Sequence, residues 1–161
     1  MPLEIERKFL VTNDNWRADA HAVIPMAQGY INDMAAMDSG AQKASVRVRI
    51  QGDAAYLNIK SRELGRTRQE FEYPVPVSEA RELLALCVGG LVDKRRHLVQ
   101  HGGLLWEVDE FLGDNTGLVV AEVELESADQ IFAKPDWAGA EVTDESRYYN
   151  LALASKPYSR W

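Results

Sequence analysis

Apolar and polar residues alternate with a period of two along most of this chain. In residues 45–51, Val46 and Val48 point to one side of a strand, and Arg47 and Arg49 point to the other. The same alternation predicts about eight strands, at residues 2–11, 27–31, 45–51, 56–60, 68–75, 91–100, 104–112 and 117–126. Short glycine-containing turns separate several of these runs, which favours antiparallel hairpins.

The segments between the strands carry helix and loop signals. Ser78 is expected to cap a helix that continues to residue 86, and Ser127 to cap a short helix to about residue 133. We expect residues 143–154 to be mostly helical. Residues 33–44 are rich in methionine and small residues and predict a mobile loop, and residues 62–67 predict a polar loop.

The polar face of nearly every predicted strand carries charges of both signs. The acids are Glu4, Glu6, Glu70, Glu72, Glu107, Asp109, Glu122 and Glu124, and the bases are Lys8, Arg47, Arg49, Lys60, Arg68, Lys94 and Arg96. Closing such strands with the apolar side outward would line a water-filled lumen with these charges. The expected fold is therefore α+β, a closed eight-stranded antiparallel β-barrel or tunnel with a charged lumen and helices packed outside. An open sheet with a solvated charged face is the alternative.

Composition narrows the class of protein. With 161 residues, 46% hydrophobic and 27% charged, the chain is expected to form one soluble domain over residues 1–161. The net charge of -7 argues against nucleic-acid binding. One cysteine precludes an intrachain disulfide. The charged start of the chain and the lack of a long apolar run predict no membrane association and a cytoplasmic location.

The first charged stretch also resembles a known family. Residues 4–8, Glu-Ile-Glu-Arg-Lys, match the E-x-E-x-K signature of the CYTH proteins, also called triphosphate tunnel metalloenzymes. Further matches follow in the same order along nearly the whole chain: Gln28-Gly29-Tyr30, Arg47-Val48-Arg49, Lys60, Arg68-Gln69-Glu70-Phe71-Glu72, Lys94, Arg96, Glu107-Val108-Asp109, Glu122-Val123-Glu124, and Val142-Thr143-Asp144 with Arg147-Tyr148.

This resemblance implies a tunnel that binds a triphosphate together with one or two Mg²⁺ or Mn²⁺ ions. The implied metal ligands are Glu4, Glu6, Glu122 and Glu124, with Glu72 or Asp109 assisting. The implied substrate-binding residues are Lys8, Arg47, Arg49, Lys60, Arg68, Arg96 and Arg147, with Lys94 among the same cations. The chain departs from some relatives in a longer loop at 33–44, and in Tyr149 and Leu151, where those relatives carry lysines.

The chemistry of these residue types agrees with that implication. A triphosphate carries about four negative charges, which several cations must balance, and arginine binds phosphate oxygens bidentately. Carboxylate oxygens suit Mg²⁺ or Mn²⁺. Cationic neighbours lower the pKa of a lysine, so Lys94 is a candidate general base or, if it stays charged, an electrostatic clamp. Tyr30 is either a packing residue or a candidate catalytic partner that tunes Lys94 through a hydrogen bond.

The leading hypothesis is metal-dependent hydrolysis of inorganic triphosphate to diphosphate and phosphate. The alternatives are a thiamine triphosphatase or adenylate cyclase of the same family, or a non-catalytic polyphosphate- or nucleotide-binding module. The expected partner is a small-molecule substrate, with no nucleic acid and no membrane. The sequence leaves open a homodimer, the preferred metal and the choice among triphosphate compounds.

Overall fold

The computed structural model describes residues 3–62 and 67–161. Within these ranges the strands are β1 (Leu3–Val11), β2 (Ala20–Tyr30), β3 (Ala44–Gln51), β4 (Ala54–Ser61), β5 (Thr67–Val75), β6 (Val88–His101), β7 (Leu104–Phe111), β8 (Val119–Glu124) and β9 (Ala138–Glu141). The α-helices there are α1 (Met34–Asp38), α2 (Val77–Leu84) and α3 (Asn150–Ser155), and 3-10 turns occur at Asn15–Asp19, Gly113–Asn115, Ser146–Tyr148 and Tyr158–Arg160. The start of the first predicted strand and most of the predicted polar loop lie outside the described residues.

Eight of the strands close into an antiparallel barrel. Their order around the barrel is β1-β5-β4-β3-β2-β6-β7-β8, and β8 pairs with β1 again. The seam between β1 and β5 is short and includes the pairs Leu3 with Gln69 and Ile5 with Thr67. The predicted closed eight-stranded barrel is therefore confirmed. The sequence did not predict β9, which pairs with the far end of β1 outside the barrel.

The second strand is longer than predicted. It starts at Ala20 rather than at residue 27, and Pro25 within it lacks the N–H that a central strand donates. From Ala20 to Pro25, β2 pairs with β6, whereas its pairing with β3 begins only at Met26. Pro25 is tolerated because it lies where the strand has a neighbour on one side.

Two helix signals were wrong in detail. Helix α2 starts at Val77, directly after Pro76. The predicted cap, Ser78, therefore lies inside the helix and does not cap it. Residues 127–133 form no helix. There, the side chain of Gln130 accepts a hydrogen bond from the Glu126 N–H at 2.7 Å, and Phe132 packs against the outer apolar cluster.

The other two segments differ less from the prediction. Residues 33–44 contain α1, whose first turn is capped by Asp33 and whose last carbonyls accept hydrogen bonds from Arg62. The expected helical tail is a 3-10 turn at Ser146–Tyr148 followed by α3. Among the helices of the described part of the chain, none has the length and hydrophobicity that crossing a bilayer requires.

The apolar faces of the strands point away from the barrel axis, as expected. Around the fully buried Trp106, the ring of Trp137 lies 5.5 Å away and that of Phe9 lies 5.7 Å away, centroid to centroid. Helix α2 covers another part of the outside, where Ala80 packs against Val48. This outer packing leaves the charged faces directed inward.

Apolar residues fill one end of the barrel interior. Along β1 the inward-facing residues are first Glu4 and Glu6, then Lys8 and finally the apolar Leu10. Along β6 the apolar Val92 comes before the inward-facing Lys94 and Arg96. These apolar residues belong to a buried cluster that includes Leu153 of α3. Gly89 has a φ of +72°, and a Cβ there would lie 2.9 Å from the Ala154 carbonyl oxygen, so glycine permits β6 to approach α3 this closely. Helix α3 thus covers one end of the lumen.

Candidate active site

The barrel encloses a cavity of about 860 Å³. Its charged lining includes most of the predicted site residues, namely Glu4, Glu6, Lys8, Arg47, Arg49, Lys60, Arg68, Glu72, Lys94, Arg96, Glu122 and Glu124. Tyr30 also lines it, together with Glu70 and Glu107. The structure therefore brings these side chains to one space, whereas Asp109 and Arg147 are not among the lining residues.

Carboxylates concentrate where β1, β8 and β7 meet. Glu6 lies opposite Glu124 in the β1–β8 ladder, and Glu107 lies opposite Glu122 in the β7–β8 ladder. Burial, with Glu122 and Glu4 nearby, raises the pKa of Glu6 to about 8. Burial and neighbouring carboxylates also raise the pKa of Glu124, although this side chain is more exposed. An Nη of Arg68 lies 3.3 Å from Glu6 and also 3.3 Å from Glu4. An Nη of Arg96 lies 2.8 Å from Glu107, so several enclosed carboxylates share few cations in this part of the lumen.

At Glu4 and Glu122, in contrast to Glu6, the neighbouring cations outweigh burial. Glu4 lies 3.0 Å from the Nζ of Lys60 and 3.3 Å from an Nη of Arg68. Burial opposes ionisation of Glu4, but these cations outweigh it and lower its pKa. Glu122 lies 3.6 Å from the Nζ of Lys8, and its pKa is well below the usual range because the surrounding cations outweigh its burial.

Asp109 joins two lumen cations from behind the cavity surface. Its Oδ1 accepts from the Nε of Arg96 at 2.8 Å, and its Oδ2 accepts from the Nζ of Lys94 at 2.7 Å and an Nη of Arg96 at 2.9 Å. Asp109 is 1% exposed. Its expected part in metal binding is therefore not favoured, because both oxygens already accept from buried cations.

Burial lowers the pKa of Lys94 to about 7. Asp109 opposes this change, and the neighbouring Arg96 and Arg49 reinforce it. Lys94 thus lines the cavity as an amine whose burial opposes its charged form.

The structure does not place the hydroxyl of Tyr30 on the amine of Lys94. That hydroxyl accepts from the Nε2 of Gln28 at 3.5 Å, while Lys94 donates to Asp109 and to Asn150. The register between β2 and β6 explains why the predicted contact is absent from this structure. Lys94 pairs with Met26, which lies four residues before Tyr30 on β2. The predicted hydrogen bond between Tyr30 and Lys94 is therefore wrong in this structure.

Arg47 and Arg49 are buried cations that have no carboxylate within salt-bridge distance among the described residues. Within residues 3–62 and 67–161, neither makes a salt bridge, and the Nε of Arg47 has no hydrogen-bond partner. The Nε of Arg49 donates to the side-chain oxygen of Gln28 at 2.8 Å. Burial lowers the pKa of Arg49 to about 9, with Arg47 and Arg96 acting in the same direction, so it remains charged at neutral pH. Two enclosed guanidinium groups that face a cavity favour an anionic ligand.

Arg147 lies outside this cavity. Its guanidinium lies 4.5 Å from the ring centre of Trp161 and donates a hydrogen bond to the hydroxyl of Tyr148 at 3.2 Å. The substrate-binding role implied by the resemblance is therefore not favoured, because the exposed side chain packs on aromatic residues of the C-terminal segment.

The cavity neighbours that the sequence did not assign to the site include Gln28, Asn58, Tyr149 and Asn150. Gln28 and Asn58 could have been found, since each shares a strand face with a predicted site residue two positions away. Asn150 could not, because it follows a 3-10 turn and has no strand periodicity, whereas Tyr149 was noted only as a departure from relatives that carry lysine there. The ring of Tyr149 contacts two cations, lying 4.9 Å from the Nζ of Lys8 and 5.3 Å from the guanidinium of Arg68.

The donor set fits a hard divalent cation. No cluster of three His, Cys, Asp or Glu side chains is preformed for a metal in the described ranges. The oxygens at the β1–β8 ladder are nevertheless of the type that Mg²⁺ and Mn²⁺ prefer. The raised pKa of Glu6 marks the place where added positive charge would be most favourable.

Comparisons with known proteins agree with this geometry. The model of the CYTH domain matches residues 2–156. An inorganic triphosphatase of Acetivibrio thermocellus is 44% identical over 162 residues, covering 100% of this chain and 99% of the relative. One from Nitrosomonas europaea is 38% identical over 154 residues, covering 94% and 96%. The crystal structure of an inorganic triphosphatase matches with a TM-score of 0.67 at 35% identity, covering 96% of this chain and 95% of the other. The chain therefore belongs to the CYTH domain family.

Proposed function

We propose that this protein hydrolyses inorganic triphosphate to diphosphate and phosphate in the barrel cavity. The observation that carries the proposal is the pair Arg47 and Arg49, which are enclosed, charged and without a carboxylate partner in the described residues. Burying such cations is unfavourable unless an anion accompanies them. The names of the two relatives, which match this chain over nearly their whole length, support triphosphate as that anion.

The remaining lumen cations suit a chain of phosphoryl groups. Lys8 on β1 and Lys60 on β4 carry flexible ammonium groups. Arg68 on β5 and Arg96 on β6 carry guanidinium groups. Distributed around the cavity wall, these side chains would contact more than one phosphoryl group at once. We expect them to hold the substrate in one orientation, which lowers the barrier by positioning the reacting groups.

The carboxylates would hold the metal. Glu6, Glu122 and Glu124, with Glu4 nearby, are the residues that would bind Mg²⁺ or Mn²⁺. When bound, such an ion supplies positive charge to phosphoryl oxygens and makes coordinated water more acidic. Glu72 is a weaker candidate ligand, because its Oε2 accepts from the Nδ2 of Asn58 at 2.7 Å.

Lys94 has two candidate roles at the cavity wall. A pKa of about 7 allows it to accept a proton from the attacking water. When protonated, it would instead stabilise the negative charge that develops on the transferred phosphoryl group. We favour the general-base role, and Asp109 then holds the amine in place. Tyr30 stays a candidate site residue through its position on the cavity wall.

An activity panel tests the proposed function. Inorganic triphosphate, ATP, thiamine triphosphate and long-chain polyphosphate are each incubated with the protein and Mg²⁺ or Mn²⁺, and phosphate release is measured. We expect the fastest release from inorganic triphosphate, with diphosphate as the second product and no release in the presence of a chelator. A higher kcat/KM for ATP or thiamine triphosphate would contradict the proposed substrate. The cytoplasmic location remains a prediction from the sequence, and the sequence leaves a homodimer open.

A further inference from the structure

The first residue of α3 reaches into the lumen. The Oδ1 of Asn150 accepts hydrogen bonds from the Nζ of Lys94 at 3.1 Å and from the Nε2 of Gln28 at 3.0 Å. Both donors are completely enclosed, with Gln28 at 0% and Lys94 at 1% exposure. The side-chain amide oxygen of Asn150, from the C-terminal segment, thus takes part in a polar network whose other members lie on barrel strands.

Gln28 extends this network to a second cation. Its amide nitrogen donates to Asn150, while its amide oxygen accepts from the Nε of Arg49 at 2.8 Å. The network therefore runs from Lys94 through Asn150 and Gln28 to Arg49. Buried polar networks of this kind restrain the side chains that they join, because each lost hydrogen bond leaves an enclosed polar group without a partner.

Two acceptors on different elements contact the Lys94 amine, Asp109 at 2.7 Å and Asn150 at 3.1 Å. Asp109 lies on β7, next to the strand that carries Lys94, whereas Asn150 approaches from α3. Two acceptors on different elements fix the direction of the amine better than one does. Helix α3 is itself anchored in the apolar cluster through Leu153, which is 1% exposed. The position of Asn150 is therefore set by packing outside the polar network.

We propose that Asn150 is a positioning residue for Lys94, and that α3 supports catalysis through this contact. The inference rests on the proposed triphosphatase function and on the geometry of the Lys94–Asn150–Gln28 network. It assigns a part in the reaction to a residue that carries no charge and lies outside the strand pattern.

The test compares two substitutions of similar size. Asn150→Leu removes the acceptor oxygen, and Asn150→Asp keeps an oxygen at the same distance along the side chain. We expect Asn150→Leu to lower kcat about tenfold or more while the Kd for triphosphate changes less than about threefold, since one enclosed hydrogen bond to a charged group is lost. Asn150→Asp should retain at least about five times the kcat of Asn150→Leu. The carboxylate introduced by Asn150→Asp would raise the pKa of Lys94. Both variants are therefore assayed from pH 7 to 9.5, so that kcat is compared where Lys94 can lose its proton.

A matched control and a second measurement keep the outcome interpretable. Ser155→Ala changes an exposed side chain at the end of α3 and should leave kcat unchanged. In protein labelled with ¹³C-lysine, Asn150→Leu should shift the Lys94 side-chain signal, which Lys94→Arg identifies, and Ser155→Ala should not. This second readout does not depend on activity.

Several results would overturn the inference. They are an unshifted Lys94 signal in Asn150→Leu, an unchanged kcat in that variant, or equal losses in the leucine and aspartate variants across the pH range. A loss explained by a lower thermal midpoint would do the same, because it would indicate a purely structural role. Failure of the wild-type protein to hydrolyse triphosphate would contradict the proposed function, and the lysine signal would still decide the role of Asn150.

Discussion

Two charged regions of the same lumen differ in how completely the protein satisfies them. In the first, Lys94, Arg96 and Asp109 form short hydrogen bonds, and Asn150 completes the set. In the second, Glu6 faces Glu124 across the β1–β8 ladder, and both have raised pKa values. In the first region every charged member has a short hydrogen bond to an opposite charge, whereas in the second Glu6 shares Arg68 with Glu4, so added positive charge would favour its ionised form.

This difference distinguishes side chains that hold a catalytic residue in place from side chains that bind a ligand. A satisfied cluster holds side chains in place, because each member would lose a hydrogen bond by moving. An unbalanced cluster weakens the folded state and favours a ligand of opposite charge. We therefore interpret the Asp109 cluster as the support for Lys94. The Glu6–Glu124 region and the pair Arg47 and Arg49, which have no carboxylate partner in the described residues, are interpreted as the places where metal and phosphate bind.

The largest expected effect comes from altering the satisfied cluster. Lys94→Arg keeps the charge but cannot accept a proton near neutral pH, so under the base role kcat should fall by about 10²–10⁴-fold while triphosphate still binds. The measurement is kcat together with the Kd for triphosphate, with Lys94→Ala in parallel and the thermal midpoint of each variant as a check on folding. A near-native kcat for Lys94→Arg would favour the electrostatic clamp instead.

A smaller but still large effect is expected at the acidic region. Glu122→Gln removes a candidate charged metal ligand and should lower kcat/KM by about 10²-fold or more at limiting Mg²⁺ or Mn²⁺. Glu82→Gln on the exposed face of α2 is the matched control. Full activity of Glu122→Gln at limiting metal would show that the metal assignment is wrong.

Substitution of Arg47 or Arg49 should affect substrate binding more than the chemical step. Arg47→Ala or Arg49→Ala removes charge-assisted hydrogen bonds worth about 1.5–3 kcal/mol each, which corresponds to a roughly ten- to hundredfold higher KM. Arg95→Ala is the control, because Arg95 is exposed on the outer face of β6. Unchanged KM values in both lumen variants would contradict the proposed phosphate site.

The smallest effect, a shift in stability, distinguishes the two kinds of carboxylate. The pKa of Glu6 is about 8 in the folded protein, above the ordinary 4.5, so its contribution makes the fold less stable as pH rises from about 4.5 to about 8. Glu6→Gln should therefore raise the thermal midpoint by a few degrees at pH 8.5 and change it little at pH 4.5. The pKa of Glu122 is lowered, so its stabilising contribution is present above pH 4.5, and Glu122→Gln should lower the midpoint at pH 8.5.

Scanning calorimetry at the two pH values measures this contrast. Adding Mg²⁺ or Mn²⁺ to the wild-type protein should also raise the midpoint, and more at pH 8.5 than at pH 4.5, because protons compete for the carboxylates. Midpoints of Glu6→Gln and Glu122→Gln that move in the same direction at pH 8.5 would contradict the distinction between the two kinds of carboxylate.

The sequence predicted the inner surface of the barrel well because strand periodicity determines which face a side chain joins. Arg47 and Arg49 follow the alternation of β3, and both line the cavity. Periodicity does not determine height along the barrel axis, which depends on the stagger between strands. For this reason Tyr30 was expected beside Lys94, although the β2–β6 register places Met26 there.

Contacts from irregular segments were beyond prediction for a similar reason. Asn150 meets Lys94 only because α3 packs across one end of the barrel, and nothing near residue 150 in the sequence indicates that packing. β9 was missed because its four residues carry little alternation. The segment at residues 127–133 resembles a capped helix locally, but the packing of Phe132 on the barrel determines its conformation.

The central claim is that triphosphate and a divalent metal bind together inside the barrel. A crystal structure of the protein with Mn²⁺ and a slowly hydrolysed imido analogue of triphosphate tests it most directly, with anomalous scattering to locate the metal. We predict phosphoryl oxygens within hydrogen-bonding distance of Arg47 and Arg49, and Mn²⁺ bound by carboxylates of Glu6, Glu122 or Glu124. An analogue bound outside the cavity, or Mn²⁺ bound away from these carboxylates, would contradict the claim.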